Sequence, residues 1–100
     1  MEITDIWIRF GEHIHQDFLI DFPDFFSGIP DILRNCSAEQ KQELQLFLKE
    51  LMSANISSDE RLEAWLASEA NIFVTTDQID AFIQEIAKTV EKDLKSHSTR

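Results

Sequence analysis

Apolar side chains recur at helical spacing along most of the chain, and this periodicity predicts an all-α fold. In residues 3–15, and again near the C-terminus, apolar positions stand three or four residues apart, as on one face of a helix. Thr4 or Asp5 is expected to cap the first helix, and Thr75 or Thr76 the last. The two stripes consist of Ile3, Ile6, Trp7, Phe10 and Ile14, and of Ile79, Phe82, Ile83, Ile86, Val90 and Leu94.

Two capping boxes predict the helices between these stripes. Ser37 with Gln40, and Ser57 with Glu60, each place a hydroxyl three residues before a side chain that can accept from the backbone N–H of that serine. The first of these helices is expected to end near Ala54-Asn55. The expected inward residues are Leu44, Phe47, Leu48, Leu51 and Met52, and then Leu62, Trp65 and Leu66. Residues 71–74 are predicted to be extended or connecting, with a short strand as the alternative.

The course of residues 22–36 is left open by the sequence. Pro23 predicts a break, because proline lacks an amide donor and restricts the residue before it. The helical piece from Asp24 to Cys36 is interrupted by Gly28 and Pro30, so it is either one helix or a turn followed by a short helix. With only two glycines and two prolines, the whole is predicted to be one compact bundle of about five helices. The domain is expected to span residues 1–95, with a frayed tail at 96–100.

The charge of the chain indicates the class of partner. The formal net charge is −10, and half of it, −5, falls in residues 1–35. Direct binding to nucleic acid or to an anionic membrane surface is disfavoured, because Lys and Arg bind phosphates. A basic protein partner is favoured.

The single cysteine and the hydropathy pattern favour a cytoplasmic protein. Cys36 has no second cysteine with which to form an internal disulfide, as expected in a reducing compartment. The chain opens without a positively charged, apolar signal segment and contains no apolar run of about 18 residues, the length that spans a bilayer.

One stretch combines acids and aromatic rings without any cation. Between Phe10 and Leu33 there is no Lys or Arg. The acids are Glu12, Asp17, Asp21, Asp24 and Asp31, and the rings are Phe10, Phe18, Phe22, Phe25 and Phe26. In a protein interface, charge of one sign steers the encounter and aromatic residues anchor the contact. The alternative is that the rings are core residues and the acids ordinary solvated side chains.

Catalytic and metal-binding chemistry is not predicted. His13, His15 and Asp17 alternate, which would bring them together on a strand but not at the end of a helix, where each step turns by about 100°. His15 is instead expected to bond a free carbonyl at the helix end. Cys36 paired with a histidine carries no signature of a nucleophile, and two isolated glycines form no phosphate loop. We therefore predict no catalytic, cofactor-binding or metal residues, and no enzyme.

The segment from Ile14 to Phe18, with its central His15-Gln16-Asp17, resembles a family of immunity proteins from contact-dependent growth inhibition systems. The family pattern is an aromatic residue, His-Gln-Asp, and another aromatic, followed by an acidic turn and a helix rich in Leu and Glu. The segment from Gln42 to Met52 is similar to that helix. This chain departs from the pattern at Ile14, where an aromatic residue is usual.

The resemblance implies an all-α antidote that acts without catalysis. Such proteins bind the C-terminal toxin domain of a secreted protein, often a nuclease and commonly an RNase, and block it. The shared motif, His15, Gln16 and Asp17, is then expected to be structural, with Asp17 as a cap or turn acceptor. The residues expected to contact the toxin are Glu12, Asp21, Asp24, Phe25 (or its neighbour Phe26), Asp31, Asp59, Glu60 and Glu63. The alternative function is an acidic helical module or homodimer that binds another basic protein.

Overall fold

Helices account for all the regular structure in the described part of the chain. The computed structural model describes residues 3–14, 18–70 and 72–98, and these contain no strand, which confirms the all-α prediction. Within them are six α-helices and one 3-10 helix. Their bounds are α1 Asp5–Glu12, α2 Phe18–Asp21, the 3-10 helix Phe25–Gly28, α3 Ile29–Arg34, α4 Ala38–Leu51, α5 Ser58–Ala67 and α6 Thr76–Ser98.

Both predicted capping boxes are present. The Gln40 N–H donates to Ser37 Oγ at 3.1 Å, and Ser37 N–H donates back to Gln40 Oε1 at 2.8 Å. At α5 the Glu60 N–H donates to Ser57 Oγ at 3.2 Å, so an orphan donor of each first turn is satisfied. The α4 helix ends at Leu51, a few residues before the predicted end.

The beginnings of the first and last helices lie where the stripes predicted them. Thr4 is the N-cap of α1, and its carbonyl accepts from Trp7 N–H at 3.1 Å. Thr75 immediately precedes α6, and its N–H donates to the Gln78 side chain at 3.4 Å. The α6 helix runs to Ser98, so helix extends into the segment predicted to be a frayed tail. Cations in the last turns complement the negative end of the helix dipole there.

Residues 22–36 follow the course of a turn and then a short helix. The 3-10 helix begins after Asp24, whose carboxylate accepts from Phe26 N–H at 3.2 Å. In α3 the proline, Pro30, stands in the first turn, where its missing N–H would have no helical partner in any case. The four-residue helix α2 was not predicted, because a single turn has too few residues to show a helical period.

Two tryptophans form the centre of the core. Trp7 and Trp65 are both buried, with ring centroids 6.0 Å apart. The Trp7 indole donates to the carbonyl of Ala64 at 2.7 Å and that of Trp65 to the carbonyl of Ile72 at 2.9 Å. These bonds attach α1 to α5, and α5 to the segment that leads into α6. The α6 helix packs against α3, α4 and α5.

The structure corrects the prediction for one core residue and for the end of the first helix. Leu66 is 66% exposed although it was predicted to face inward. Ala64 and Trp65 are the buried residues of α5, and Leu66 lies one further step of about 100° around the helix, which turns it to solvent. The first helix ends at Glu12 rather than near residue 15, and His13 is its C-cap.

Arg61 connects three helices through one guanidinium group. Its Nε donates to the carbonyl of Leu51 at 2.8 Å and its Nη2 to that of Ser53 at 3.0 Å, at the end of α4. Its Nη1 donates to Asp80 of α6 at 2.9 Å, and Ser58 Oγ donates to the same carboxylate at 2.8 Å. The hydrogen bond from Ser58, followed by that from Arg61, lowers the pKa of Asp80.

Glu69, just after α5, has a left-handed backbone with φ of 62°. Side chains disfavour this conformation and glycine accepts it, so Glu69→Gly is expected to raise the free energy of unfolding by about 0.5–1 kcal/mol. The same change inside α5, Glu63→Gly, is expected to lower it by about 1 kcal/mol. Urea denaturation measures both, and a destabilised Glu69→Gly variant would contradict the prediction.

Candidate protein-binding surface

The acids predicted to contact a partner between residues 10 and 33 lie at the surface, in different local settings. Glu12 and Asp21 are exposed at the ends of α1 and α2. Asp24 is exposed, yet its carboxylate also caps the 3-10 helix. Asp31 lies 3.4 Å from Arg34 Nη1 in an exposed ion pair, an arrangement worth about 1 kcal/mol at most. Asp17 lies outside the described residues.

The two adjacent rings of the 3-10 helix are placed differently, and this corrects the expectation for Phe25. The ring of Phe25 is only 7% exposed, since it packs against both Trp65 and Phe82, with centroids 6.3 and 5.1 Å away. Phe26 is half-buried at the edge of the same cluster, 5.7 Å from Phe82. Of the two, Phe26 is therefore the ring that a partner can reach.

The second predicted patch lies at the start of α5. Asp59 and Glu63 are exposed, whereas Glu60 is half-buried and completes the capping box with Ser57. Glu60 and Glu63 line a depression of about 240 Å³. Acids near a helix N-terminus are stabilised by the dipole, so this patch has a structural explanation as well as the predicted functional one.

An apolar groove, which the sequence analysis missed, lies where two segments without cations meet. The second such segment runs from Leu62 to Ala87 and contains no Lys or Arg. Its acids are Glu63, Glu69, Asp77, Asp80 and Glu85. Contact between Phe26 and Phe82 brings it against the first segment. The same count of charges that singled out residues 10–33 would have found this segment.

We call this concavity the Phe73 groove. It has a volume of about 460 Å³. Its apolar lining residues are Phe26, Ile72, Phe73, Val74, Ala81 and Phe82, and its polar ones are Gln78 and Glu85. Phe73 is 88% exposed, the highest value among the exposed large apolar side chains of the described residues. An exposed aromatic ring beside an apolar groove is typical of protein-binding sites.

Comparisons of the chain with family models, with curated proteins and with solved structures give no match. The function proposed for this surface therefore depends on the chemistry of its own residues and on the resemblance of the His-Gln-Asp segment.

Cys36 and His13 line a common depression of about 450 Å³, but their contacts do not activate the thiol. Burial raises the pKa of Cys36 despite the nearby Lys41, which favours the protonated, weakly nucleophilic form. The Cys36 thiol donates to the carbonyl of Ile32 at 3.7 Å. His13 Nδ1 lies 2.8 Å from the carbonyl of Arg9. His13 thus contacts a carbonyl group near the end of α1.

The predicted motif His15-Gln16-Asp17 lies outside the described residues, so its structural role stays a prediction. Among the described residues, no group of three or more His, Cys, Asp or Glu side chains is arranged to hold a metal ion. None of the described helices combines the length and apolar character needed to cross a bilayer.

Proposed function

We propose that this chain is an immunity protein that binds and neutralises the C-terminal toxin domain of a contact-dependent growth inhibition system. The toxin domain is a nuclease in this proposal, with RNA as the expected substrate, and the antidote acts in the cytoplasm. The observation that carries the proposal is the exposure of Glu12, Asp21 and Asp24 in a segment, residues 10–33, that contains a reachable aromatic ring and no Lys or Arg. The resemblance at His15-Gln16-Asp17 supplies the kind of partner.

In this proposal the antidote competes electrostatically with the nucleic-acid substrate of the toxin. A nuclease binds phosphates through a basic cleft. A protein of net charge −10 is attracted to that cleft, and acids at the contact raise the association rate. Aromatic residues that become buried slow dissociation, since most affinity differences lie in the dissociation rate. Fast and tight inhibition follows without any catalytic group.

The 3-10 helix prepares an acid and a ring for such a contact. The Asp24 carboxylate is held by Phe26 N–H at 3.2 Å, and Ser27 Oγ donates to the Asp24 carbonyl at 2.6 Å. The carboxylate and the half-buried Phe26 ring therefore keep a fixed relation in the free protein. Fixing groups before binding reduces the conformational entropy that is lost in the complex.

A second candidate function is self-association through an apolar patch. The observation in its favour is Phe73, which is 88% exposed. A homodimer predicts a molecular mass that rises with protein concentration when no partner is present. The toxin-binding hypothesis predicts a monomer that forms a salt-sensitive complex. Sedimentation of the protein alone separates the two.

Charge reversal at Asp21 is expected to weaken toxin binding about tenfold, because it removes one attraction and adds one repulsion at the contact. Binding of Asp21→Lys to the toxin domain encoded immediately upstream is measured at low and high salt, together with toxin activity. The matched control is Glu50→Lys, which makes the same charge change at an exposed position of α4 and is expected to change the affinity less than twofold.

The wild-type titration tests the proposed function itself. Tight binding that weakens with added salt and abolishes toxin activity supports it. If the folded wild-type protein does not bind the toxin domain at micromolar concentration, the proposed function is wrong. Equal losses in Asp21→Lys and Glu50→Lys would indicate a general charge effect and remove the assignment of the contact to residues 10–33.

A further inference from the structure

We infer that the Phe73 groove binds an apolar side chain that a partner protein presents between Lys or Arg residues. This deepens the proposed function, on which it rests only for identifying that partner as the toxin domain. The inference assigns a new contact surface, because Ile72, Phe73, Phe82 and Glu85 lie outside the two patches expected from the sequence.

The segment that carries Phe73 is held in place, so the exposed ring belongs to a structured surface. The carbonyl of Ile72 accepts a 2.9 Å hydrogen bond from the Trp65 indole. Val74, on the other side, is buried with 6% exposure, while Phe73 between them is 88% exposed. Alternation of this kind is expected of extended backbone, in which successive side chains point to opposite sides. Phe73 is thus directed outward by the anchoring of its two neighbours.

Two other residues of the groove lining, Phe82 and Phe26, are also held by ring contacts. Phe82 contacts the buried rings of Trp65 and Phe25, at centroid distances of 4.9 and 5.1 Å. Phe26 packs on Phe82 from the 3-10 helix. The groove, with a volume of about 460 Å³, is shallow and open to solvent, as is usual for a surface that receives a side chain of a protein partner. An apolar side chain laid in the groove would exchange part of its contact with water for contact with these rings.

Charge selects a basic partner over a second copy of the chain. Glu85 is the charged member of the described groove lining, which contains no Lys or Arg. The two segments that meet here, Phe10–Leu33 and Leu62–Ala87, also lack Lys and Arg. The neighbouring depression shares Phe26 and Glu85 with the groove, and there Lys88 and Lys92 lie together with Asp24. A second copy, with net charge −10, would bring like charges together, whereas cations beside the inserted side chain would face Glu85 of the groove lining.

The first experiment uses peptides and needs no toxin. A synthetic peptide with one phenylalanine flanked by lysines is titrated into the isotope-labelled protein at millimolar concentration and followed by amide chemical shifts. Shift changes that cluster at Phe73, Gln78 and Phe82 are the expected result. Two further peptides replace the lysines by glutamates or the phenylalanine by alanine, and both are expected to bind at least about tenfold more weakly.

Matched variants test the ring itself. Phe73→Ala is expected to weaken binding of the lysine–phenylalanine peptide about tenfold. It should fold normally, since the side chain is exposed. The control is Leu66→Ala, which also removes an exposed apolar side chain, 66% exposed, but outside the groove, and should change the affinity less than twofold. An unchanged affinity in Phe73→Ala, or equal binding of the glutamate peptide, overturns the inference. Shifts at the groove that depend on protein concentration without peptide overturn it in favour of a second copy.

The toxin domain then separates this inference from the proposed function. If Phe73→Ala neutralises the toxin as tightly as wild type, the groove is not the contact and the inference fails, while the proposed function stands. If the toxin domain does not bind wild type but the lysine–phenylalanine peptide occupies the groove, the proposed function fails and the groove remains a site for a basic partner.

Discussion

Arg61→Ala is expected to lower the free energy of unfolding by about 3 kcal/mol, because two carbonyl groups at the end of α4 lose a charged donor worth about 1.5 kcal/mol each. The side chain of Arg61 is 11% exposed, so water replaces these bonds poorly. A domain of this size should then melt about 15 °C lower. Thermal denaturation followed by circular dichroism measures the shift.

Arg61→Lys distinguishes the geometry of the guanidinium from its charge. Arg61 reaches Leu51, Ser53 and Asp80 with three different nitrogens, and one ammonium group cannot reproduce that fork. We expect Arg61→Lys to recover less than half of the loss. The control is Lys49→Ala at an exposed position of α4, with an expected effect under about 0.5 kcal/mol. A melting temperature of Arg61→Ala within the error of wild type would contradict the assignment.

The pH of that measurement matters because of Asp80. Its pKa is lowered by the hydrogen bonds from Ser58 and Arg61. A carboxylate whose folded pKa lies below its unfolded value contributes stability above the unfolded pKa, about 3.9 for Asp, and loses it as the pH falls through the lowered folded pKa. Near neutral pH this contribution is fully present in wild type, so the full network is compared with the variants there.

Local signals in the sequence were sufficient to predict most of the helices. The capping boxes at Ser37 and Ser57 predicted the starts of α4 and α5, since they depend only on residues three apart. The stripe that includes Ile79 and Ile83 predicted α6 for the same kind of reason. Such patterns name the face of a helix that will be buried. They fail near a helix end, as at Leu66, where the partner that would cover the residue is set by the tertiary arrangement.

The shortest helices and the exposure of individual aromatic rings could not be predicted from the local sequence. The 3-10 helix and α2 each have four residues, too few to establish a period. Two adjacent rings on a helix cannot both face the core equally, and whether Phe25 or Phe26 is buried depends on where Trp65 and Phe82 lie. Phe73 stands in an apolar run, and such a residue is usually buried. Its exposure follows from hydrogen bonding and burial at its two neighbours, which only the folded chain brings together.

The charge pattern of residues 10–33 predicted one part of the candidate surface. A second segment with the same pattern, which was not considered, forms the rest. The absence of cations between Phe10 and Leu33 predicted Asp21 and Asp24 as contact residues. The equal absence between Leu62 and Ala87 is visible in the same sequence, but the two segments are far apart along it. Their meeting at Phe26 and Phe82 could not be derived from spacing, because it requires the packing of the 3-10 helix on α6.

Gly11→Ala is expected to destabilise the protein by about 3 kcal/mol, because α1 approaches the end of α5 more closely than a side chain allows. A Cβ atom at Gly11 would lie 2.6 Å from Ser68 Cβ and 2.8 Å from the Ser68 carbonyl carbon. Ser68 is fully buried, and its hydroxyl donates to Trp65 at 2.6 Å, so it has little freedom to move away. Overpacking of this kind costs about 1–3 kcal/mol, and here it opposes backbone atoms. Separation of α1 from α5 would also strain the Trp7–Ala64 hydrogen bond.

Gly11→Ala combines two contributions of opposite sign, the clash with Ser68 and the better helix propensity of alanine. Inside a helix, Gly to Ala by itself is favourable by about 1 kcal/mol, so a raised stability would show that α1 and α5 are not in close contact. Urea denaturation followed by tryptophan fluorescence measures the change, since Trp7 and Trp65 are both buried. The control is Glu12→Ala, the adjacent exposed residue of α1, which should alter the free energy of unfolding by less than about 0.5 kcal/mol. A shift of the Trp7 indole resonance in Gly11→Ala, but not in Glu12→Ala, would place the loss at the α1–α5 contact rather than in α1 itself.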